Sequence, residues 1–299
     1  MRSVYVYSPS GFVHDTASFA RAIERLGAGG ARVLVDPDAL ARDSRFAGSD
    51  DARLAAVLRA AEHPGAEIAL AARGGYGWTR LLDRLDYRAI AQRGKRWVGH
   101  SDFTAFSLAM LAIGGVTTYA GPMAVADYGA AEPSDFTTTH ASAMLERGVD
   151  GAAFATDGPD VVAEGTLWGG NLSMTVSLLG TAYFPHVDGG VLFVEDVNEH
   201  PYRIERMLWQ LVHSGVLARQ RVLLVGAFTG YEPVAHDGGY DLDAAIARIR
   251  RATTVPILTG LPFGHVRDKL TLPVGGRASV HVVSGRARLA LADDRAGAR

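Results

Sequence analysis

Ser101 lies in a stretch whose residue types could carry nucleophilic chemistry. Residues 95–106 run from a short apolar strand through Gly-His-Ser into an apolar helix, which places the serine at a strand-to-helix turn. Such a turn presents the hydroxyl away from the core, and the first N–H groups of the helix favour negative charge nearby. The Gly-x-Ser-x-Gly pattern is incomplete because Phe103 replaces the second glycine. A serine or aspartate that only caps the helix is the alternative interpretation.

Two more polar groups follow predicted strands. Glu195 and Asp196 end an uninterrupted apolar strand, and His265 lies in a loop after another short strand. Each has an ordinary explanation, since carboxylates at strand ends are often solvated or capping and a single loop histidine is more often packed or exposed. With Ser101 they complete the order serine, acid, histidine of a serine hydrolase, which geometry must confirm.

A glycine-rich loop, Arg-Gly-Gly-Tyr-Gly-Trp at 73–78, follows the third predicted strand. Three glycines among four positions indicate either a close approach of another group to the backbone or a turn that needs positive φ. A phosphate-binding Walker loop is disfavoured because no Gly-Lys-Ser/Thr follows.

The elements around these loops predict an α/β fold. Apolar strands at 4–7, 31–35 and 66–72 alternate with helical patterns at 15–26 and 50–61. This alternation indicates a parallel sheet covered on both faces, with functional loops at the carboxyl ends of its strands. The loop at 73–78 and the Ser101 turn are therefore expected at one edge of the sheet.

The chain is expected to contain two domains. We predict an N-terminal parallel-sheet α/β domain at 1–135 that carries the nucleophile, a linker at 136–163, and a C-terminal mixed α/β, barrel-like domain at 164–299 that carries the acid and base. The uncharged run 103–126 is long enough to raise the membrane question. Gly114-Gly115, Thr117-Thr118 and Gly121-Pro122 interrupt it, so a buried helix followed by a buried strand explains it better.

Composition excludes several classes of protein. Thirty basic and thirty-two acidic side chains give a net charge of −2, without a basic patch for nucleic acid or an anionic membrane. No cysteine is present among the 299 residues, which excludes disulfides, thiolate metal sites and a cysteine nucleophile. The N-terminus does not have the pattern of an export signal.

Six blocks in the same order resemble one family. They are Arg-Gly-Gly-Tyr-Gly (73–77), Gly-His-Ser-Asp (99–102), Gly-Gly-Asn-Leu (169–172), Leu-Phe-Val-Glu-Asp (192–196), Tyr-Arg-Ile-Glu-Arg-Met-Leu (202–208) and Gly-Leu-Pro-Phe-Gly-His (260–265). Together they are similar to the L,D-carboxypeptidases of peptidase family S66, the muramoyltetrapeptide carboxypeptidases. The resemblance covers nearly the whole chain, and several blocks in order are far more specific than any one.

The resemblance implies a catalytic triad and an oxyanion hole. The nucleophile would be Ser101, the acid Glu195 and the base His265, while the backbone N–H groups of Asp102 and Gly75 would receive the oxyanion. The choice of Gly75 among the glycines of its loop stays open. This sequence departs from the family at position 100, where a histidine stands; its side chain should leave the turn away from the serine, so it is not taken as the base.

The resemblance also implies a reaction. Such enzymes remove the terminal D-alanine from murein tetrapeptides during cell-wall recycling in the cytoplasm, without a metal or organic cofactor. We expect the same here, with a homodimer as the assembly and no nucleic acid or membrane partner.

Two alternatives stay open. An immunity peptidase like the microcin C self-immunity proteins would cleave aminoacyl-adenylate analogues, but the region 123–165 offers only Tyr128, Phe136 and Phe154 to stack on a nucleobase. A non-catalytic binder of murein fragments is the alternative from another class, which a missing triad member would favour; all three members are present.

Overall fold

The computed structural model describes residues 3–293, whose strands form two sheets. The strands are β1 (Ser3–Tyr7), β2 (Arg32–Val35), β3 (Ile68–Ala71), β4 (Arg96–Gly99), β5 (Thr118–Ala120), β6 (Val149–Ala155), β7 (Val161–Asn171), β8 (Val191–Val197), β9 (Val222–Thr229), β10 (Ile257–Leu258), β11 (Leu272–Val274), β12 (Arg277–Val283) and β13 (Arg286–Ala292). The helices are α1 (Thr16–Ala28), α2 (Asp50–Glu62), α3 (Tyr87–Gln92), α4 (Thr104–Ala109), α5 (Asp135–Arg147), α6 (Leu172–Ser177), α7 (Pro201–His213) and α8 (Leu242–Arg250). The predicted α/β class is confirmed.

The first sheet has the strand order β11-β5-β4-β3-β1-β2 and is parallel except for β11. Strands β1 and β3 are buried along their whole length, which suits a parallel sheet covered on both faces. Because β1, β3 and β4 are parallel neighbours, the loops after them meet at one edge. These are the loops that carry the glycine-rich sequence and Ser101, as the sequence predicts.

The second sheet is mixed and curls into a half-barrel, with the strand order β10-β9-β8-β7-β12-β13-β6. Strands β7 to β10 are parallel, whereas β12, β13 and β6 pair antiparallel. Buried and exposed residues alternate along β12 and β13, as in an antiparallel sheet with one solvated face. The parallel part therefore supplies the buried strand ends on which functional side chains can be placed.

Residues 136–163, predicted as a linker, are largely folded. They include most of helix α5, which Ser134 caps and which ends at Gly148 with φ +71°, and strand β6, which pairs with β13. The hydrophobic pattern is weak here because β6 is an edge strand with several exposed positions. Ser134 before α5 and Gly148 after it are the residues from which the ends of this helix could be predicted.

The two halves of the chain interlock near the Ser101 turn. Strand β11 from the C-terminal half joins β5 of the first sheet, and the Asn171 N–H donates to Thr104 Oγ1 at 3.0 Å. The exact domain boundaries stay a prediction. Within residues 3–293, no helix combines the length and apolar character that crossing a bilayer demands.

Candidate active site

Ser101 occupies a strained turn between β4 and α4. Its φ is +65°, a left-handed conformation that few non-glycine residues adopt, and the 3₁₀ turn Ser101–Phe103 leads directly into α4. Phe103 is buried, and its ring lies so close to Gly99 that a methyl group on that glycine would be 2.8 Å from it. The position of the missing second glycine is thus filled by an aromatic side chain that packs on the first.

The glycine-rich loop packs directly on the serine. A methyl group added to Gly74 would lie 2.8 Å from Ser101 Cβ and 3.0 Å from its Oγ, so only glycine allows this approach. The Gly11 N–H donates to the Gly74 carbonyl at 3.1 Å, which joins the loops after β1 and β3. Gly75 has φ +113°, a conformation that a side chain would strain.

The Asp102 side chain links the serine turn to the glycine-rich loop. Its buried carboxylate accepts the Trp78 N–H at 3.0 Å. The buried Arg53 guanidinium donates to the carbonyls of Pro9 at 2.8 Å and Gly77 at 2.9 Å. Burial raises the pKa of Asp102 to about 6, against the opposing effect of the hydrogen bonds and of Arg53. Loops after three strands are thereby fixed around Ser101.

His265 and Glu195 form a histidine–carboxylate pair in the site. His265 Nδ1 lies 2.7 Å from Glu195 Oε2; the glutamate is fully buried and the histidine side chain is 21% exposed. Gly264, with φ +138°, allows the close approach, because a methyl there would lie 3.3 Å from Glu195 Cβ. With a proton on Nδ1 donated to the carboxylate, Nε2 is left to accept a proton.

Glu195 and Asp196 are adjacent in β8 and have different partners. Successive side chains of a strand point to opposite faces, and the register with β9 also shifts here, from Val194 opposite Val225 to Asp196 opposite Phe228, so the extra residue lies in β9. Asp196 accepts hydrogen bonds from Asn171 Nδ2 and the Ser173 N–H, both at 2.8 Å. Asp196 therefore holds the start of α6, whereas Glu195 contacts the histidine.

His100 is buried beside this pair. Its Nδ1 lies 2.8 Å from the Gly121 carbonyl and its ring centroid 5.1 Å from that of His265. Burial, followed by the charges of Lys269 and His265, holds its pKa well below 6.5, so the ring is neutral. The neutral ring therefore contacts the Gly121 carbonyl and packs beside His265.

Two adjoining cavities open at the site. One of about 410 Å³ is lined by Ser101, Arg73 and His265, and one of about 670 Å³ is lined by His265 together with His100 and Lys269. Met123, Ala126, Ala130 and His265 line both. The predicted nucleophile and base therefore share one cavity, and the histidine stands at the boundary between the two.

Sequence reasoning missed the ion pair in the larger cavity. Lys269 Nζ lies 2.5 Å from Asp127 Oδ1, both are buried, and Asp127 also accepts the Met123 N–H at 2.7 Å. No local pattern links residues 142 positions apart. Across residues 3–293, no group of three or more His, Asp or Glu side chains is arranged to hold a metal ion.

Family models match both halves of the chain. The model described as the LD-carboxypeptidase N-terminal domain matches residues 4–121, and the one described as the LD-carboxypeptidase C-terminal domain matches residues 164–280. The first match contains the Ser101 turn and the second contains both Glu195 and His265.

Individual proteins agree with the family models. The "Probable murein peptide carboxypeptidase" of Bacillus subtilis is 31% identical over 250 residues, which cover 79% of this chain and 75% of that protein. The crystal structure of muramoyltetrapeptide carboxypeptidase from Oxalobacter formigenes has 42% identity and a TM-score of 0.92, covering 97% of this chain and 99% of that one. A structure of MccF in complex with glutamyl sulfamoyl guanosine has a TM-score of 0.88 over 98% of this chain and 96% of that one. Its identity is 20%, so this likeness shows the fold alone.

Proposed function

This chain belongs to the LD-carboxypeptidase family, and we propose that it is a serine L,D-carboxypeptidase that removes the terminal D-alanine from murein tetrapeptides. The observation that carries the proposal is the contact between His265 Nδ1 and Glu195 Oε2 at the wall of the cavity that Ser101 lines. The names of the relatives and of the similar crystal structure supply the substrate class.

The proposed reaction begins at the carbonyl carbon between the diamino acid and D-alanine. Ser101 Oγ attacks this carbon while its proton passes to Nε2 of His265, and Glu195 stabilises the imidazolium and fixes the ring. The backbone N–H groups of Asp102 and Gly75 receive the developing oxyanion.

The intermediate then collapses. The carbon–nitrogen bond breaks as the imidazolium gives its proton to the leaving amine of D-alanine, which leaves an ester on Ser101. Water attacks this ester with His265 as the base, and the ester bond breaks as the imidazolium returns the proton to Ser101 Oγ, which releases the tripeptide and regenerates the free serine.

The microcin C-type alternative is less well supported by the lining of the site. Among residues 3–293, neither of the two site cavities is lined by a Phe, Tyr or Trp side chain on which a base could stack. A cavity with aromatic rings, at Tyr202, Trp209 and Tyr240, lies on α7 and contains no member of the triad.

One experiment separates these functions. Purified protein is incubated with murein tetrapeptide and, separately, with an aminoacyl-sulfamoyl adenosine, and products are followed by mass spectrometry beside the Ser101→Ala variant. We expect tripeptide and D-alanine from the first substrate, no cleavage of the second, and no product with the variant. Cleavage of the nucleotide conjugate alone would replace the proposal by the immunity function, and binding of tetrapeptide without turnover would replace it by a binding role.

The assembly and the location are part of the proposal. We expect a homodimer in the cytoplasm, without a nucleic-acid or membrane partner. Light scattering of the purified protein and fractionation of the producing cell would test these two expectations.

A further inference from the structure

Arg73 places a guanidinium group in the wall of the cavity that contains Ser101. It follows β3 directly, is partly exposed, and lines the 410 Å³ cavity together with Gly75, Ser101 and His265. The mechanism proposed above does not use its side chain. A cation that lines the same cavity as the proposed nucleophile and base needs a physical explanation.

Arg73 contacts a backbone carbonyl and a histidine rather than a carboxylate. Nη1 donates to the Phe12 carbonyl at 2.9 Å and lies 3.4 Å from His14 Nδ1. Within residues 3–293 no carboxylate forms an ion pair with it. Burial and then the charge of Arg45 lower the pKa of Arg73, as expected for a cation without a compensating anion.

Two other cations near the site have acidic partners, in contrast to Arg73. Lys269, in the adjoining cavity, pairs with Asp127, and the buried Arg53 pairs with Asp50. Asp15 also lines the Arg73 cavity, but its carboxylate accepts the backbone N–H and the hydroxyl of Ser18, at 2.9 and 2.5 Å. The guanidinium of Arg73, which has no acidic partner, can therefore bind an anion in the cavity beside Ser101.

We propose that Arg73 binds the terminal carboxylate of the substrate, on the D-alanine that leaves. This assignment rests on the proposed function and adds the residue that would make the enzyme specific for a chain end. The planar guanidinium binds a carboxylate through two parallel hydrogen bonds, which a lysine cannot reproduce.

The spacing agrees with this assignment. A methyl group added to Gly75 would lie 3.7 Å from Nη2 of Arg73, so the guanidinium is adjacent to the backbone proposed to receive the oxyanion. In a peptide, only a nitrogen and a Cα separate the scissile carbonyl from the next carboxyl carbon, a span of roughly one residue, about 3 to 4 Å. A carbonyl held at Gly75 would therefore leave the terminal carboxylate of the following residue within reach of Arg73.

The test uses a matched pair of substrates, the tetrapeptide acid and its C-terminal carboxamide. We expect the wild type to prefer the acid in kcat/KM by about tenfold to a hundredfold, the usual scale of a charge-assisted hydrogen-bond pair. Arg73→Met should lower kcat/KM for the acid by that factor and leave the amide nearly unchanged. Arg73→Lys should recover part of the preference. Arg45→Met, which removes a nearby exposed charge outside the cavity, should keep all of it.

The outcomes separate the two proposals. A wild type that cuts neither peptide overturns the proposed function and this assignment with it. A wild type that cuts acid and amide equally, or an Arg73→Met variant that loses both equally, overturns the assignment alone. The same holds if Arg267→Met, in the adjoining cavity, abolishes the preference while Arg73→Met keeps it. If Arg73→Met does not fold, the ratio of kcat/KM for the acid to that for the amide, measured in the wild type and in Arg73→Lys, still tests the assignment.

Discussion

Ser101 and His265 line the same cavity, but the two sheets hold them by different means. At the edge of the first sheet, backbone conformation and close packing position the serine itself: Ser101 has φ +65°, and Gly74 packs where no larger residue fits. The side chains of Asp102 and Arg53 hold the loops behind it. At the edge of the second sheet side chains do it, through the contact of His265 with Glu195 and that of Asn171 with Asp196.

This difference has a consequence for mutational sensitivity. Around Ser101 itself, damage should come from added atoms, because the glycine-rich loop and the serine are in van der Waals contact. On the second-sheet side, damage should come from removed charge or lost hydrogen bonds, because buried polar groups depend on their partners.

Ser101→Ala should lower kcat by about 10⁴-fold or more, the usual loss when a triad nucleophile is removed. The fold should persist, because the side chain removed is small and faces the cavity. Steady-state kinetics with the tetrapeptide and thermal unfolding measure the two effects. Activity within about tenfold of wild type would remove Ser101 from the nucleophile role.

Glu195→Gln should lower kcat by about 10³- to 10⁴-fold while KM changes little, on the scale known for triad acids. The new amide can donate to Nδ1 of His265, which places the ring proton on Nε2 and blocks acceptance from Ser101. Glu199→Gln is the matched control in the loop that follows β8, where the carboxylate lies 3.7 Å from Arg203. It should stay within about twofold of wild type, since a partly exposed pair contributes little. Equal losses in both variants would contradict the assignment of Glu195.

Gly74→Ala tests the backbone side. The added methyl would lie 2.8 Å from Ser101 Cβ, so either the serine or the loop must move. We expect kcat to fall by about a hundredfold, the effect of displacing a reacting group by roughly 1 Å. Gly27→Ala in α1 is the control, because its methyl meets nothing within 4 Å and alanine favours a helix. An unchanged kcat in Gly74→Ala would show that the close packing is not needed.

The same contrast explains what the sequence could and could not reveal. Glycine loops and a serine after parallel strands predicted the meeting of 73–78 with Ser101, because topology alone brings such loops to one edge. The segment 136–163 was expected to be a linker because β6 is a half-exposed edge strand with little periodicity. The pairing of Lys269 with Asp127 and the unpaired charge of Arg73 depend on three-dimensional neighbours that no local pattern encodes.

Among these variants, Asp102→Asn should change kcat least, and it should alter how the free energy of unfolding depends on pH. Asparagine keeps an oxygen that can accept the Trp78 N–H, so kcat should fall by less than about tenfold, the weight of exchanging a charged for a neutral hydrogen bond. Asp102→Ala removes the acceptor as well and should fall further, which separates the hydrogen bond from the charge.

The stability effect follows from the pKa of Asp102, which burial raises from 3.8 to about 6 in the folded chain. Between these values the folded protein keeps a proton that the unfolded chain has released, so its free energy of unfolding falls as the pH rises through this window. Asparagine does not titrate, so the stability of the wild type relative to Asp102→Asn should decline from about pH 4 to about pH 6 and level off on both sides. Urea unfolding of both proteins across this range measures the difference. A constant difference would mean that burial does not oppose the charge of Asp102. The stability of the first-sheet side would then depend on packing and on the hydrogen bonds of Arg53 to the Pro9 and Gly77 carbonyls, without a contribution from the titration of Asp102.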